Sequence, residues 1–391
     1  MKAKKKVLFY HFAFPYGGGE RVTCDIARWI RNYGYEAVVA TCHKRENISD
    51  VSDINLVELP DRDPYLKKNA EAVVRLIQTL SINIFVLPGF FWKHLAYVKE
   101  SCPDCKFVYI LHNIPWWEAI AKRERKLHAP KKGMPKLMEW YIITLPKISW
   151  LNVYHRRCAK EYKEVYRLVD AYVVLCNGYK KDLVHRLGLP EKNKIRVIEN
   201  TEYPAEDVNL EKKKQALFLG RMDTEQKRVD RLLDIWAMVC GQLTDWELVL
   251  VGGGPEEQNL RRKAAGMNLE RVRFAGWAQK PAEFYKYASV FCLTSTFEGW
   301  PLCLTEAQAN GVVPVAFNCC AGIEEILSPS GVNGILIDPF DKKKFADKLY
   351  ELLTSPKELE QMRNNVLRKS KEYSIEKIGK KWLDLFDELT E

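Results

Sequence analysis

No apolar run in this 391-residue sequence approaches the roughly 20 residues that a membrane-spanning helix needs. The best, WYIITLPKISWLNV, is short and broken by Pro146 and Lys147. No fixed-period repeat is present, which sets aside solenoids and propellers. No low-complexity segment is present either, and disorder is expected only at the ends. Eleven cysteines occur, yet metal-ligand spacing is missing. Cys102 and Cys105 in CPDC have no second CxxC and no paired histidines to complete a zinc site. Most other cysteines sit in apolar runs, Cys176 in AYVVLC and Cys292 in VFCL, where a thiol is a small core group. The start, MKAKKKVLFYHF, runs into AFPYGGGE and reads as a first strand rather than a secretory leader. The expected setting is reducing and cytoplasmic.

What is present is an ordinary globular composition, 47% hydrophobic and 29% charged, enough for two or three domains with full cores. The formal net charge is +10, and the excess is local. Between Glu118 and Arg167 thirteen Lys/Arg face five acids, with Trp116, Trp117, Trp140 and Trp150 in or beside the stretch. Basic residues interleaved with aromatics suit an anionic membrane surface or a polyphosphate. They also suit RNA, and the plainest reading is a solvated helix face.

Strand and helix patterns alternate throughout. The first half carries the apolar runs VLFYHF, EAVVAT, INLVEL, INIFVLP, KFVYILH, AYVVLC and KIRVIEN, with amphipathic segments between several of them. TEYPAEDVNLEKKK, residues 201–214, breaks the pattern and reads as a linker. The alternation restarts with QALFLG, WELVLVG, RVRFAG, SVFCLTS, VVPVAF and NGILID. Near-continuous apolar strands separated by helices mean parallel sheets covered on both faces. The fold class is therefore α/β, with two doubly wound Rossmann-like domains in tandem. They are expected at residues 1–200, including the basic Trp-rich stretch 116–167, and 215–372, with an amphipathic tail helix at 373–391.

Ligands bind outside the carboxyl ends of the strands in such sheets, and four constellations lie there. In YHFAFPYGGGERV a strand meets Gly17, Gly18 and Gly19 before a helix opens near Glu20. This is neither a GxGxxG fingerprint nor a Walker loop, and a tight strand-to-helix turn explains it equally well. In LFLGRMDTEQKRVDRLLDIW, Arg221 and Lys227 follow a strand and can clamp a diphosphate. Arg228 and Arg231 crowd the next helix start against its macrodipole, a conflict that a bound anion would relieve. His112 ends the buried strand of KFVYILH, placed either to meet a ligand or to satisfy local backbone. In STFEGWPLCLTEAQANG, Glu298 follows a strand, Pro301 suits an early helix position, and Glu306 lies one to two turns in. The N–H groups around Gly299 to Leu302 are placed to hold an anion, and Glu306 suits a ribose diol. Asp61 and Asp63 in PDRDP are read as turn residues rather than metal ligands.

GGGERV, LGRMD…QKRVDRLLDIW, LVLVGGGPE, TFEGWPLCLTEAQANGVVPV and VNGILIDPFD, in that order, resemble retaining GT4-type glycosyltransferases of the GT-B fold, with wording like that of bacterial surface-polysaccharide enzymes. The resemblance covers nearly all of the second domain and the first loop of the first. It implies two domains facing a cleft and a tail helix crossing back to the first domain. It also implies a nucleotide-diphosphate sugar donor, UDP- or GDP-linked, a glycan or lipid-linked saccharide acceptor, and transfer with retention, without a metal or other cofactor. Arg221 and Lys227 would bind the donor diphosphate. Glu298, with the backbone of Gly299, Trp300, Pro301 and Leu302, would hold the sugar and distal phosphate. Glu306 would take the ribose, Gly18 and Gly19 would approach the donor, and His112 would lie near sugar and acceptor. CCAGIEEIL, with Ala321, Gly322 and Glu324, departs from the family's usual double glycine and proline, and IENTEYP lacks the usual Asn-Gly or Asn-Pro. The enzyme would be cytoplasmic, extending to the inner membrane face through 116–167. Two rivals are an epimerase of the same fold, acting on nucleotide sugar alone, and a basic nucleic-acid-binding protein, which the local clustering of charge disfavours.

Overall fold

The computed structural model describes residues 4–15, 17–45, 51–128, 134–146, 153–202, 205 and 208–391. The chain divides into two compact units. One is drawn from Met1–Trp116, Leu145–Thr201 and Ile375–Glu391, the other from Trp117–Thr144 and Glu202–Ser374.

Among the described residues the first unit holds seven strands: β1 (Lys5–Phe14), β2 (Tyr35–Lys44), β3 (Asn55–Glu58), β4 (Ile84–Pro88), β5 (Lys106–Leu111), β6 (Ala171–Val174) and β7 (Ile195–Val197). Every pairing is parallel, in the order β3-β2-β1-β4-β5-β6-β7. Val7, Leu8, Phe9 and Tyr10 are fully buried, as are Phe85, Val86 and Leu87. A strand covered on both faces has no polar side to alternate with, so the runs read as continuous apolar stretches. The order reverses between β1 and β4, where the loops after the two strands part to opposite sides and leave a crevice.

The tail helix, Ile375–Thr390, belongs to this first unit. Its seat is tight: a Cβ added at Gly379 would lie 2.3 Å from the Trp29 ring, so only glycine fits. Tyr35 Oη donates to Asp387 Oδ1 at 2.7 Å, and Lys381 Nζ pairs with Glu199 at 2.5 Å. Under the same unit Asp25 is buried, accepting from Thr201 Oγ1 at 3.2 Å. Burial pushes its carboxyl up to about 6 from the ordinary 3.8, against the pull of Arg21.

A pH-dependent stability follows from Asp25. The native state binds this proton more tightly than the unfolded chain does. The cost of the buried charge is therefore fully present above about pH 7 and is relieved as pH falls through 6 towards 4. Asp25→Asn keeps the Thr201 hydrogen bond and removes the charge. It is expected to raise stability at pH 8 by on the order of 2–3 kcal/mol, with the gain vanishing near pH 4. Thermal unfolding at the two pH values checks this, and an equal effect at both would refute it.

The second unit holds β8 (Gln215–Leu219), β9 (Glu247–Val251), β10 (Val272–Gly276), β11 (Val290–Leu293), β12 (Val313–Phe317) and β13 (Ile335–Ile337). These are again all parallel, in the order β10-β9-β8-β11-β12-β13. Trp236, on the helix Val229–Val239, is fully buried in the core, and its neighbours there include Phe218, Val229 and Leu232. The reversal here falls between β8 and β11. The segment expected to be a slack linker is pinned where it is described. Lys212 Nζ donates to the carbonyls of Tyr285, Lys286 and Asn310 at 2.9, 3.1 and 2.8 Å, and Glu202 N–H donates to Tyr373 O at 2.8 Å.

The stretch 116–167, expected whole within the first domain, is divided. Trp117–Thr144 groups with the second unit, where Arg125 pairs with Glu225 at 3.3 Å. Trp116 stays with the first unit, buried, its Nε1 donating to Asp182 at 2.8 Å. Trp150 lies outside the described residues.

Candidate active site

The reversal between β8 and β11 brings two loops side by side. Leaving β8, the chain crosses Gly220 and runs through Arg221 to Lys227. Leaving β11, it runs from Thr294 to Glu298. The two are stitched by Thr296 N–H donating to Gln226 O at 2.7 Å. Lys227 Nζ meets Glu298 Oε1 at 2.7 Å, and both side chains are almost out of water, 17% and 5% exposed. Burial acts against the ammonium, but the Glu298 carboxylate more than reverses this, and the lysine is held charged well above its usual range. Glu298 is fixed on its other sides by Ser295 Oγ at 2.6 Å and Gln226 Nε2 at 3.2 Å. A buried ion pair with each carboxylate oxygen engaged is rigid and holds its two charges in fixed positions.

Arg221 is held differently. Its side chain is 59% exposed, and its Nε donates to Asp223 Oδ2 at 2.8 Å. Asp223 is buried, and its Oδ1 accepts the backbone N–H groups of Gln226 and Lys227 at 2.6 and 3.0 Å. One carboxylate thus shapes the whole loop between the two cations. The loop also rests on the glycines after β9. A Cβ at Gly252 would meet Gly220 O at 2.0 Å, and one at Gly254 would meet Met222 O at 2.4 Å. These glycines let two backbones touch rather than cradling a phosphate themselves.

The macrodipole conflict at the next helix is resolved without an anion. Arg228 forks onto Asp230 in the helix's first turn, Nε and Nη2 each at 2.8 Å. Arg231 lies over the Phe340 ring, 4.1 Å from its centre, and donates to Thr294 O at 3.3 Å. Charge crowding at this helix therefore gives no argument for a bound phosphate. What remains is Arg221 and Lys227.

After Glu298 the helix Leu302–Ala309 begins, with Pro301 as its N-cap in extended conformation rather than in its first turn. The N–H groups of Leu302 and Cys303 open the helix, where no intrahelical acceptor exists. Trp300 is buried with its ring at 5.0 Å from that of Tyr373, edge to face, so its side chain is core and only its backbone faces the loop. Glu306 is half-buried, one oxygen accepting from Tyr285 Oη at 2.8 Å. Burial and the nearby Glu306 carboxylate raise the Tyr285 phenol well above its usual range, so it stays a donor. The departing CCAGIEE stretch forms the start of the helix Ala321–Leu327, with Cys320 as N-cap, Gly322 buried and Glu324 exposed.

In the first unit, the crevice beside β1 and β4 widens into a cavity of about 780 Å³ lined by His11, Gly19, Glu20, Asp63, Tyr65, Phe90 and His112, among others. Gly17 caps the helix Gly18–Ile30, and its N–H donates to Glu20 Oε2 at 2.9 Å. Glu20 Oε1 lies 3.7 Å from His11 Nδ1, while His11 Nε2 shares a hydrogen bond with Thr23 Oγ1 at 2.9 Å. Although burial opposes it, the contact with His11 keeps the Glu20 carboxyl below its usual range. His112 ends β5 with its ring against Gly19, whose added Cβ would touch it at 3.4 Å. Both ring nitrogens are buried without a hydrogen bond. Burial, helped by His11, pushes the imidazole down to about 4, so it is neutral at physiological pH. Asp61 and Asp63 are spent on the turn, accepting the N–H groups of Asp63 and Tyr65 at 2.9 Å each.

The sequence pattern marks Arg221, Lys227, Glu298, Glu306 and His112 but leaves Asp223, Gln226, Ser295 and Tyr285 unmarked. The spacing Arg-x-Asp in GRMD was the available signal for the first of these.

Residues 16–201 match the family described as Glycosyltransferase Family 4, and residues 199–369 match Glycosyl transferases group 1. The amylovoran biosynthesis glycosyltransferase AmsD of Erwinia amylovora is 26% identical over 381 residues, 95% of this chain and 96% of that protein. The lipopolysaccharide 1,6-galactosyltransferase of Escherichia coli K12 is 31% identical over 219 residues, 53% of this chain and 58% of that one. The crystal structure of Anabaena HepE with UDP-glucose superposes with a TM-score of 0.72 at 18% identity, over 98% of this chain and 99% of that one, a likeness of fold. With residues 16–201 matched by family 4 and residues 199–369 by group 1, and with two parallel sheets of the GT-B type, the chain belongs to the group 1 glycosyltransferases.

Proposed function

We propose that this glycosyltransferase moves a sugar from a nucleoside-diphosphate donor to a saccharide hydroxyl, with retention at the anomeric carbon and without a metal, in surface-polysaccharide synthesis. The observation that carries the reading is the buried Lys227–Glu298 pair at the β8/β11 reversal, with Arg221 beside it on the Asp223-ordered loop. Arg221 and Lys227 supply two positive charges for a diphosphate, the role a metal plays elsewhere. Glu298 and the helix N-terminus after it receive the sugar and distal phosphate, and the half-buried Glu306 receives the ribose hydroxyls. UDP is the favoured carrier because HepE was crystallised with UDP-glucose. A glycan or lipid-linked saccharide acceptor is favoured by the lipopolysaccharide relative. The acceptor is assigned to the first-unit cavity, where His112 presents two unpaired ring nitrogens.

Chemically, the C1–O bond to the diphosphate breaks as the acceptor oxygen bonds to C1 from the same face. The acceptor proton passes to a phosphate oxygen of the leaving group. Lys227, Arg221 and the helix N-terminus stabilise the charge that grows on that diphosphate.

A thermal-shift panel of UDP, GDP and their sugars tests the reading. A nucleotide at about a hundred times its Kd stabilises the native state by about 2.7 kcal/mol, and the preferred nucleotide should do so equally in EDTA. Transfer followed by NMR should give the donor's own anomer. Absence of any nucleotide shift, an inverted product, or loss of transfer in EDTA each refutes the corresponding part.

A further inference from the structure

Of the tryptophans in the basic stretch, Trp116 is buried and Trp117 and Trp140 are half-buried, so none of these three is a fully outward side chain. Different residues are exposed. In the helical run 134–146, whose middle turn Trp140–Thr144 is π-helical, Leu137, Met138, Tyr141, Ile142 and Ile143 are 39% to 66% exposed. The first four stand at i, i+1, i+4 and i+5, which is one stripe of a helix. Such a stripe on water is unusual unless something covers it.

Charge decides what covers it. The run sits inside the Glu118–Arg167 segment with its thirteen basic and five acidic residues. Arg123, Arg125 and Lys126 on the preceding helix, Trp117–His128, which belongs to the same unit, are exposed. A second copy docking on the stripe would bring two such basic segments together, and like charges repel. Nucleic acid would answer the charge but offers no place for Leu, Met and Ile side chains, since single strands are gripped by stacking on aromatic rings. An anionic bilayer surface answers both, taking apolar side chains about 5–10 Å into the headgroup boundary and Lys/Arg at the lipid phosphates. Thirteen helical residues span about 20 Å, short of the roughly 30 Å hydrocarbon core, so the run lies in the interface and does not cross it.

We infer that the stripe Leu137, Met138, Tyr141, Ile142 is a docking surface for an anionic lipid bilayer, with the basic residues of the preceding helix as its electrostatic partner. Vesicle flotation tests it with no nucleotide or acceptor present, so its failure leaves the transferase reading standing, and the reverse. The wild type is expected to float with vesicles containing phosphatidylglycerol and not with pure phosphatidylcholine. Binding is expected to be lost at about 1 M salt, where screening reaches about 3 Å. Met138→Ser/Tyr141→Ser/Ile142→Ser is expected to weaken partition at least about tenfold, with unchanged circular dichroism and unchanged transfer to a water-soluble acceptor. Arg123→Glu/Lys126→Glu, which leaves the stripe intact, is expected to weaken it as well and shift its salt dependence. Flotation of the serine variant like wild type overturns the inference, as does failure of the wild type to float. A wild-type dimer in sedimentation that the serine substitutions dissociate, without vesicle binding, gives the stripe to a second copy and overturns it too.

Discussion

Lys227→Ala is expected to lower kcat at least about a hundredfold at saturating donor. The lysine is the one cation of the proposed diphosphate clamp that is both buried and held charged. Charge that appears on the leaving phosphate in the transition state would meet an ammonium that is little screened by water. An interaction that strengthens as the bond breaks lowers kcat and kcat/KM together when it is removed, whereas a contact equally good for bound donor and transition state changes only KM. The assay therefore separates a catalytic cation from one that merely retains the nucleotide.

The same substitution has a structural cost that must be told apart from the chemical one. Removing Lys227 leaves the Glu298 carboxylate buried without the cation that pairs with it, though Ser295 and Gln226 still donate to it. Breaking a buried pair this way typically costs about 3–5 kcal/mol. Lys227→Met combined with Glu298→Gln removes both charges at nearly constant volume and is expected to recover most of that loss in a melting experiment. Its turnover should stay as low as that of Lys227→Ala. A double variant that recovers stability and activity together would make the pair a structural strut, and near-normal transfer by a folded Lys227→Ala would sink the diphosphate assignment.

The central strands were legible because parallel strands buried on both faces leave uninterrupted apolar runs, such as VLFY at Val7 and VFCL at Val290, while edge strands such as Asn55–Glu58 and Val272–Gly276 are partly exposed and were read from shorter runs. Their order was not legible, since nothing in a strand's own residues says which neighbour it pairs with. That hid the β8/β11 reversal, and with it the meeting of Lys227 and Glu298, 71 positions apart. Asp223 read as one more loop acid, because its value lies in two backbone N–H groups that only the folded loop presents. The argument from crowded arginines failed for a local reason: Asp230, two residues on, has the fork geometry to neutralise Arg228. Trp116 points inward for a tertiary reason. An indole such as that of Trp116 buries when its N–H finds a partner, here Asp182, and the outward residues are then aliphatic.

His112→Ala is expected to cost about a hundredfold in kcat while leaving the nucleotide-induced thermal shift unchanged, since the donor's phosphate and ribose groups are assigned to the other unit. His112 is half-buried, but its two ring nitrogens are shielded from water and make no well-formed hydrogen bond, although Asn200 lies close enough to favour the charged ring; a sugar hydroxyl entering the cavity of which His112 is a wall would pair one of them. Burial also settles which form does the work. With its titration pushed down to about 4, the ring is neutral throughout the physiological range. Protonation is resisted until pH falls through that value, so activity that depends on the neutral ring is kept below pH 6 and lost only near 4. An exposed histidine would instead give an acid limb centred near 6.5. The pH profile of kcat/KM, which reports the free enzyme, is therefore expected to be flat between pH 6 and 8. A limb centred near 6.5 that disappears in His112→Asn would show the ring to be solvated and charged on demand, and would overturn the neutral form assigned to it.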